Sequence, residues 1–319
     1  ARTRRNVLST LSVILPAAIV VVAGYVAGRR MLDASSVKAL SDLVFMLFLP
    51  CLLFRSLATA RFDGSDATML GVYFGVALFW FVVVVLFTQS RPNETTSAAV
   101  VFGLGAVFSN SVQLGIPIQK LAYGEAGLKL QLSIIAIHSL ILLTSATVWL
   151  EIARARESSE SRSFGSNVLH VVKTSIVHPV ILPILAGLVW SFAQLPLPAW
   201  FDQPLGFLAS AAGPIMLVLM GAQLSTMKLT DHWQRGLTLT IAKNLVHPAL
   251  VFLAAWAFNL SPLATAVAVT CAALPIGANV FMFAQRYSVN ENVATAATAL
   301  SSLVSLVSLT VVMALLPKP

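Results

Sequence analysis

Apolar stretches of about twenty residues, each closed by charged or Pro- and Gly-rich breaks, recur along the chain, roughly at 8–28, 36–58, 67–89, 97–121, 128–150, 173–193, 204–226, 235–258, 262–286 and 292–316. Runs such as VALFWFVVVVLF (76–87) and LVSLVSLTVVMALL (303–316) are apolar on every side. Barrel strands would alternate apolar and polar residues over about 10 positions. A helix satisfies all its backbone groups inside lipid, and about 20 apolar residues cross a hydrocarbon core of ~30 Å. The pattern predicts an all-α polytopic membrane protein with ten transmembrane helices.

Composition agrees. Of 319 residues 58% are apolar and only 10% charged, far from the balance of a soluble domain. The net charge of +8 does not indicate nucleic-acid binding, because the basic residues sit between spans, where the positive-inside rule accounts for them. Arg29, Arg30, Lys38, Arg91, Arg154, Arg156, Arg162, Lys173, Lys228, Arg235 and Arg286 fall on one face, which is expected to be cytoplasmic. Arg2, Arg4, Arg5, Arg61, Lys120, Lys129 and Lys318 fall on the other. The basic start and apolar core of the N-terminus resemble a secretory signal, but the run is long and leads directly into further spans, so it is read as the first helix. Cys51 and Cys271 both lie within spans and are read as small apolar packing residues.

The one sizeable polar segment, EIARARESSESRSFGSNVLHVVK from 151 to 173, divides the chain near its middle. Prolines recur in order across the halves: Pro16 with Pro183, Pro50 with Pro214, Pro117 with Pro275. Five helices are an odd number, so the second half enters the membrane from the opposite side. The expected organisation is two inverted five-helix repeats, 1–150 and 173–319, joined by a cytoplasmic linker, 151–172. Inverted repeats with interrupted helices at matching positions are the architecture of secondary transporters, whose substrate site lies at mid-membrane.

Two stretches carry the candidate chemistry. In SNSVQLGIPIQKL (109–121), Ser109, Asn110, Ser111 and Gln113 precede Gly115 and Pro117. In TCAALPIGANVFMFAQRY (270–287), Pro275 and Gly277 precede Asn279. Proline frees carbonyls that lipid cannot satisfy, so such breaks belong at a polar cavity. Two broken helices crossing there would aim their half-helix N-termini, each about half a positive charge, at one point. Asn110 and Asn279 would add directed hydrogen bonds without the cost of a buried charge. Ser, Asn and Gly also glue membrane helices together, and that reading stands beside the cavity.

Ionisable residues inside spans are functional candidates by default. Arg55 can fork onto a substrate carboxylate or snorkel to the interface. Lys243 can neutralise a second substrate charge or pair with Asp42, itself read as a helix-end residue near Lys38. His138, His178 and His247 are either proton relays or backbone caps beside prolines. No acidic residue is placed at the crossover, as a sodium/proton antiporter would need; Asn110, Gln113 and Asn279 are the amides available to a sodium symporter. The chain lacks HExxH, paired aspartates in facing spans and a Ser/His constellation at suitable depth, which argues against an intramembrane enzyme. A receptor or scaffold that keeps the fold without transporting is a third class.

The segments LFLPCLLFRSLA, FSNSVQLGIPIQKLAYG, AKNLVHPALV and AALPIGANVFMFAQRYSV resemble, in order, the auxin efflux carrier family, which includes plant PIN-formed carriers and bacterial carriers of malonate and related organic acids. The resemblance implies a bile-acid-symporter-like fold, akin to that of sodium/proton antiporters. Spans one, two, six and seven would form a scaffold and dimerisation domain, and spans three to five and eight to ten a transport domain moving as an elevator. Carried over, Pro117 and Pro275 are the crossover prolines and Asn110 a ligand-contacting amide; the role of Asn279 rests on the residues alone. The linker is too short to be the long regulatory loop of many plant members.

The expected function is secondary active transport of a small organic anion, a mono- or dicarboxylate such as malonate, by a homodimer in a bacterial inner membrane. The expected site is Ser109, Asn110, Gln113, Asn279, Arg55 and Lys243 around a crossover of Gly115, Pro117, Pro275 and Gly277. No cofactor is expected, with coupling to Na⁺ or H⁺ open. An indole carboxylate is the alternative substrate, for which Trp80, Phe108 and Phe281 would line an apolar sub-pocket; a sodium-coupled bile-acid-type symporter is the other alternative.

Overall fold

The computed structural model describes residues 2–60, 64–92, 94–157, 180–226 and 232–316. Most of the expected linker lies outside the described residues, as do Arg61, Lys173, His178, Lys228 and Lys318.

All regular structure among the described residues is helical. In chain order the helices are α1 (Arg2–Arg30), α2 (Ala34–Leu43), α3 (Leu49–Ala58), α4 (Gly64–Gln89), α5 (Thr96–Val107), α6 (Gly115–Glu157) and α7 (Ile181–Phe192). They continue as α8 (Ala199–Thr226), α9 (Trp233–Ile241), α10 (His247–Ala257), α11 (Pro262–Ala273), α12 (Ala278–Tyr287) and α13 (Glu291–Leu315). Among the described residues six stretches are long and apolar enough to cross a membrane: Ser35–Ala58, Ala67–Gln89, Gly115–Ile152, Ala199–Thr226, Trp233–Ala257 and Glu291–Leu315. Three shorter helices, α5, α7 and α11, are also apolar.

Local chemistry explains the boundaries. Asp33, Thr95 and Ser261 cap α2, α5 and α11 by accepting from the backbone N–H three residues on, supplying a partner that the first turn lacks. Two π-helical segments have one cause. Val44–Phe48 joins α2 to α3 and Ala242–Val246 joins α9 to α10, and a proline, Pro50 or Pro248, stands two residues after each. A proline has no N–H and its ring crowds the carbonyl four residues back. That carbonyl belongs to Met46 or Asn244, the middle residue of each segment. The helix relieves the crowding by widening: Leu49 N–H reaches Val44 O and His247 N–H reaches Ala242 O, both across five residues.

Inside α6, Gly124 has φ 62° and ψ −154°, a backbone that a side chain would strain. It separates a short first half, Gly115–Tyr123, from the long remainder. α1 lies along α8 at a distance set by small residues: a Cβ on Gly221 would strike the Val21 carbonyl, and one on Gly28 the Ala222 backbone. α3 packs on α7 and α8, whereas α4, α5, α10 and α11, with α9 against α13, form a second packed set. Both sets reach α6 at the centre.

Candidate functional site

The fourth and ninth expected spans are each broken. Helix α5 stops at Val107 and α6 starts at Gly115; α11 stops at Ala273 and α12 starts at Ala278. The two breaks pair back to back through one antiparallel bridge, Ser109 to Ile276. Asn110 N–H donates to Pro275 O at 2.7 Å, and Gly277 N–H to Phe108 O at 3.1 Å. Backbone that lipid would leave unsatisfied is thus satisfied by the opposite break. Pro275 lies within its break, as expected, while Pro117 is in the first turn of α6, where a missing N–H costs nothing. The first break therefore falls before Pro117, at Phe108–Leu114.

Beside the bridge is a cavity of about 640 Å³. The first break contributes Ser109, Asn110, Ser111 and Gln113 to its wall; the second contributes Gly277, Ala278 and Asn279, the cap and opening residues of α12. Ala278 and Asn279, at the positive end of the α12 dipole, line the cavity, while Val280 N–H bonds Gly277 O. Asn110 Oδ1 accepts from Gln113 N–H at 3.3 Å, so its amide N–H groups remain for a ligand. Gln113 Nε2 donates to Gln223 Oε1 of α8 at 3.0 Å, tying the crossover to the helix that packs on α1. Apolar wall comes from Phe45, Phe108, Ile135, Leu143, Met282 and Phe283. Among the described lining residues none is charged.

Of the expected site residues, Ser109, Asn110, Gln113, Asn279 and Gly277 converge on the cavity. Arg55 and Lys243 do not. Arg55 holds Asp202, in the first turn of α8, with Nε to Oδ1 at 2.6 Å and Nη2 to Oδ2 at 3.0 Å. Lys243 does not pair with Asp42, which takes Lys38 at 2.8 Å. It is fully buried and donates to the carbonyls of Ala272 and Leu274 at 2.5 and 2.8 Å. Gly115 packs against Gln131 and Leu274 instead of the cavity. Of the aromatic candidates only Phe108 lines the cavity; Trp80 donates its indole N–H to Ala242 O. Gln223, Ser41, Ser139 and Thr147 line it without having been singled out. Gln223 carries a sequence signal, an amide in the last turn of an apolar span.

Behind the bridge lies a buried polar layer. Ser109 Oγ donates to Cys271 O at 2.7 Å and stands 3.5 Å from Tyr73 Oη, while His138 Nε2 accepts Ser109 N–H at 3.3 Å. Gln131 Nε2 donates to Ser111 O at 2.8 Å, and Gln119 Nε2 bridges Gln131 Oε1 and Val267 O. These fully buried amides fix the first break to α6 and α11.

A family model described as "Membrane transport protein" matches residues 10–313. The chain belongs to that family. It is the auxin efflux carrier family that the broken-helix motifs resemble. Two relatives place this membrane transport protein among others. It is 25% identical over 259 residues to the "Putative malonate transporter" of Rhizobium meliloti (strain 1021), covering 81% of this chain and 80% of that protein. It is also 25% identical over 242 residues to the mouse "Lysosomal cholesterol signaling protein". That match covers 72% of this chain but 28% of the mouse protein, so the chain spans under a third of the latter's length. Family and helices together make it a multi-pass integral membrane transporter.

Proposed function

We propose that the protein is an elevator-type secondary carrier of small organic anions, built as ten spans in two inverted repeats and working as a homodimer, with residues 151–172 on the cytoplasmic side. The observation that carries this reading is the cavity at the paired breaks, where amides and a helix N-terminus converge in a wall with no charged side chain among its described residues. A carboxylate there exchanges water for N–H donors: the amides of Asn110 and Asn279 and the opening turn of α12. The packing of α1, α3, α7 and α8 on one another supports the division into scaffold and moving domain, and the Gln113 to Gln223 bond is a contact that an elevator stroke would have to break.

The charge balance favours a monoanion joined to an apolar body: helix-end dipoles complement one carboxylate, and neither Arg55 nor Lys243 is free to meet a second. The second reading, a dicarboxylate such as malonate, is favoured by the Rhizobium relative. A thermal-shift series of the purified protein with malonate, malate, succinate and indole-3-acetate separates them, because a ligand of the folded state raises apparent stability by mass action. Stabilisation by carboxylates supports the carrier, and the compound that acts at lowest concentration names the class. No stabilisation by any of them, together with no uptake into proteoliposomes, refutes it.

A further inference from the structure

Helices α1, α3 and α8 meet α6 and the first break across a largely apolar seam. Leu114 and Ile118 share one buried cluster with Val21, Leu217 and Met220, and Ile116 and Leu132 share another with Leu49, Leu53 and Met216. Apolar faces carry no directed bond, so they can shift past one another without leaving a polar group unsatisfied. One exception stands in the seam. Gln113 Nε2 donates to Gln223 Oε1 at 3.0 Å. Between described residues no other side-chain hydrogen bond or ion pair joins α1, α2, α3, α7 or α8 to α4, α5, α6 or α9 to α13.

That single bond lies in the wall of the cavity. The wall is drawn from both sides of the seam, with Ser41, Phe45 and Gln223 from one and Asn110, Gln113 and Asn279 from the other. Gln113 N–H also bonds Asn110 Oδ1 at 3.3 Å, so the two amides that the first break gives to the cavity are tied together. The Gln223 oxygen is a neutral acceptor. A carboxylate is a charged one, whose hydrogen bonds are shorter and roughly twice as strong, and its charge repels the Gln223 oxygen aimed at the same amide. In a contest for Gln113 Nε2 the carboxylate therefore wins. A charged pair would resist such exchange, whereas one neutral hydrogen bond yields to it.

We propose that the Gln113–Gln223 bond is a latch opened by the ligand: a carboxylate held at Asn110 takes the Gln113 amide from Gln223, so that the crossover comes free of α8 only when it is loaded. Empty, the protein keeps the one directed bond across its seam and rests in this conformation. Loaded, it loses that bond, and what remains of the seam is apolar. Gln223 is thus a positioning residue that acts through Gln113, and it makes exchange of ligand for ligand faster than one-way release. The inference deepens the carrier reading and rests on it.

The test uses the full-length protein with malonate or indole-3-acetate as probe, whichever stabilises the wild type at the lower concentration. Affinity is measured by titration in detergent. Flux is measured in proteoliposomes, as efflux of labelled probe with and without the same compound outside. Gln223→Met keeps the length of the side chain and removes the acceptor. It should bind the probe about fivefold more tightly, since binding no longer breaks a neutral hydrogen bond. External probe should also speed its efflux clearly less than that of the wild type. Gln113→Met should weaken binding, and in that background Gln223→Met should leave affinity unchanged, because nothing is left to contest. Weaker binding by Gln223→Met alone would make Gln223 a ligand contact and overturn the latch. Unchanged affinity, or stimulation of efflux equal to that of the wild type, overturns it as well. Should Gln223→Met fail to fold, Gln223→Leu carries the same comparison. A wild type that neither binds nor moves either probe fails the carrier reading, and the latch falls with it; wild-type exchange without the Gln223→Met effects fails the latch alone.

Discussion

Between α5 and α6 the chain uses Ser109, Asn110, Ser111 and Gln113; between α11 and α12 it uses Leu274, Pro275, Ile276 and Gly277, none with a hydrogen-bonding side chain. The first break brings its own polar groups: Asn110 and Gln113 line the cavity, while Ser109 Oγ turns back to Cys271 O. The second brings backbone alone and borrows its polar groups from elsewhere: Lys243 and Asn244 from the segment before α10, Ser301 from α13. The difference is physical. A break that binds a ligand needs donors that water or ligand can reach, whereas a break that anchors the crossover needs partners that nothing can displace. On the proposed reading the first break supplies more of the recognition and the second more of the holding, with Asn279 and the start of α12 also facing the cavity.

Substitutions should separate the halves, since each ought to move one readout and spare the other. The largest effect is expected at Lys243. Lys243→Met leaves two buried carbonyls without a donor, at about 1–3 kcal/mol each, and should appear as a large fall in unfolding temperature. Asn110→Ala comes next and acts in the other currency. It should weaken carboxylate binding about tenfold, the loss of roughly one charge-assisted hydrogen bond, with unfolding temperature and oligomer size nearly unchanged; unchanged affinity in a titration would remove Asn110 from the recognising half.

Arg55 sharpens the contrast further, as a cation that belongs to neither half. Its guanidinium and Asp202 are partly exposed, at 40% and 30% of their side-chain surface. Arg55→Ala should therefore cost only about 1 kcal/mol and leave ligand affinity alone, and a large affinity loss by titration would return it to the site. The smallest effect lies outside the membrane, at the start of α2. The Ser36 hydroxyl, the Ser36 N–H and the Ser35 hydroxyl bond the Asp33 carboxylate and hold its pKa down at about 2, against a usual 3.8. A carboxyl whose folded pKa is depressed stabilises the fold above its unfolded pKa and loses that contribution as pH falls from about 4 toward 2. Asp33→Asn should flatten the pH dependence of unfolding in that window and change little at neutral pH.

How far these features could be read from sequence depends on how local their causes are. Apolar runs gave helices over every expected span that the described residues cover, because the cause lies within each run. The break at Pro275 was legible since proline enforces it locally. The first break was misplaced by several residues: Pro117 is innocuous in a helix's opening turn, and the Asn110 to Pro275 bond that holds the break open comes from the other half of the chain. Asn110, Gln113 and Asn279, singled out because amides beside a break in lipid need a reason, line the cavity. Lys243 was singled out as a charge inside a span, with a substrate charge or Asp42 as alternative partners; only the meeting of the π-helical segment with the end of α11 shows the carbonyls of Ala272 and Leu274 that it holds. Gln223 was passed over because a single amide near a helix end looks like an interface residue until Gln113 is seen beside it.

The central claim is that the cavity at the first break binds and carries an organic anion. Its most direct test is counterflow of a labelled carboxylate, chosen by the thermal-shift series, into proteoliposomes holding wild type, Asn110→Ala or Arg55→Ala. The account predicts saturable counterflow for wild type and Arg55→Ala, with Asn110→Ala needing about tenfold more substrate for the same rate. Counterflow that persists unchanged in Asn110→Ala, or fails in Arg55→Ala while that protein remains folded, would contradict it and move the site away from the crossover.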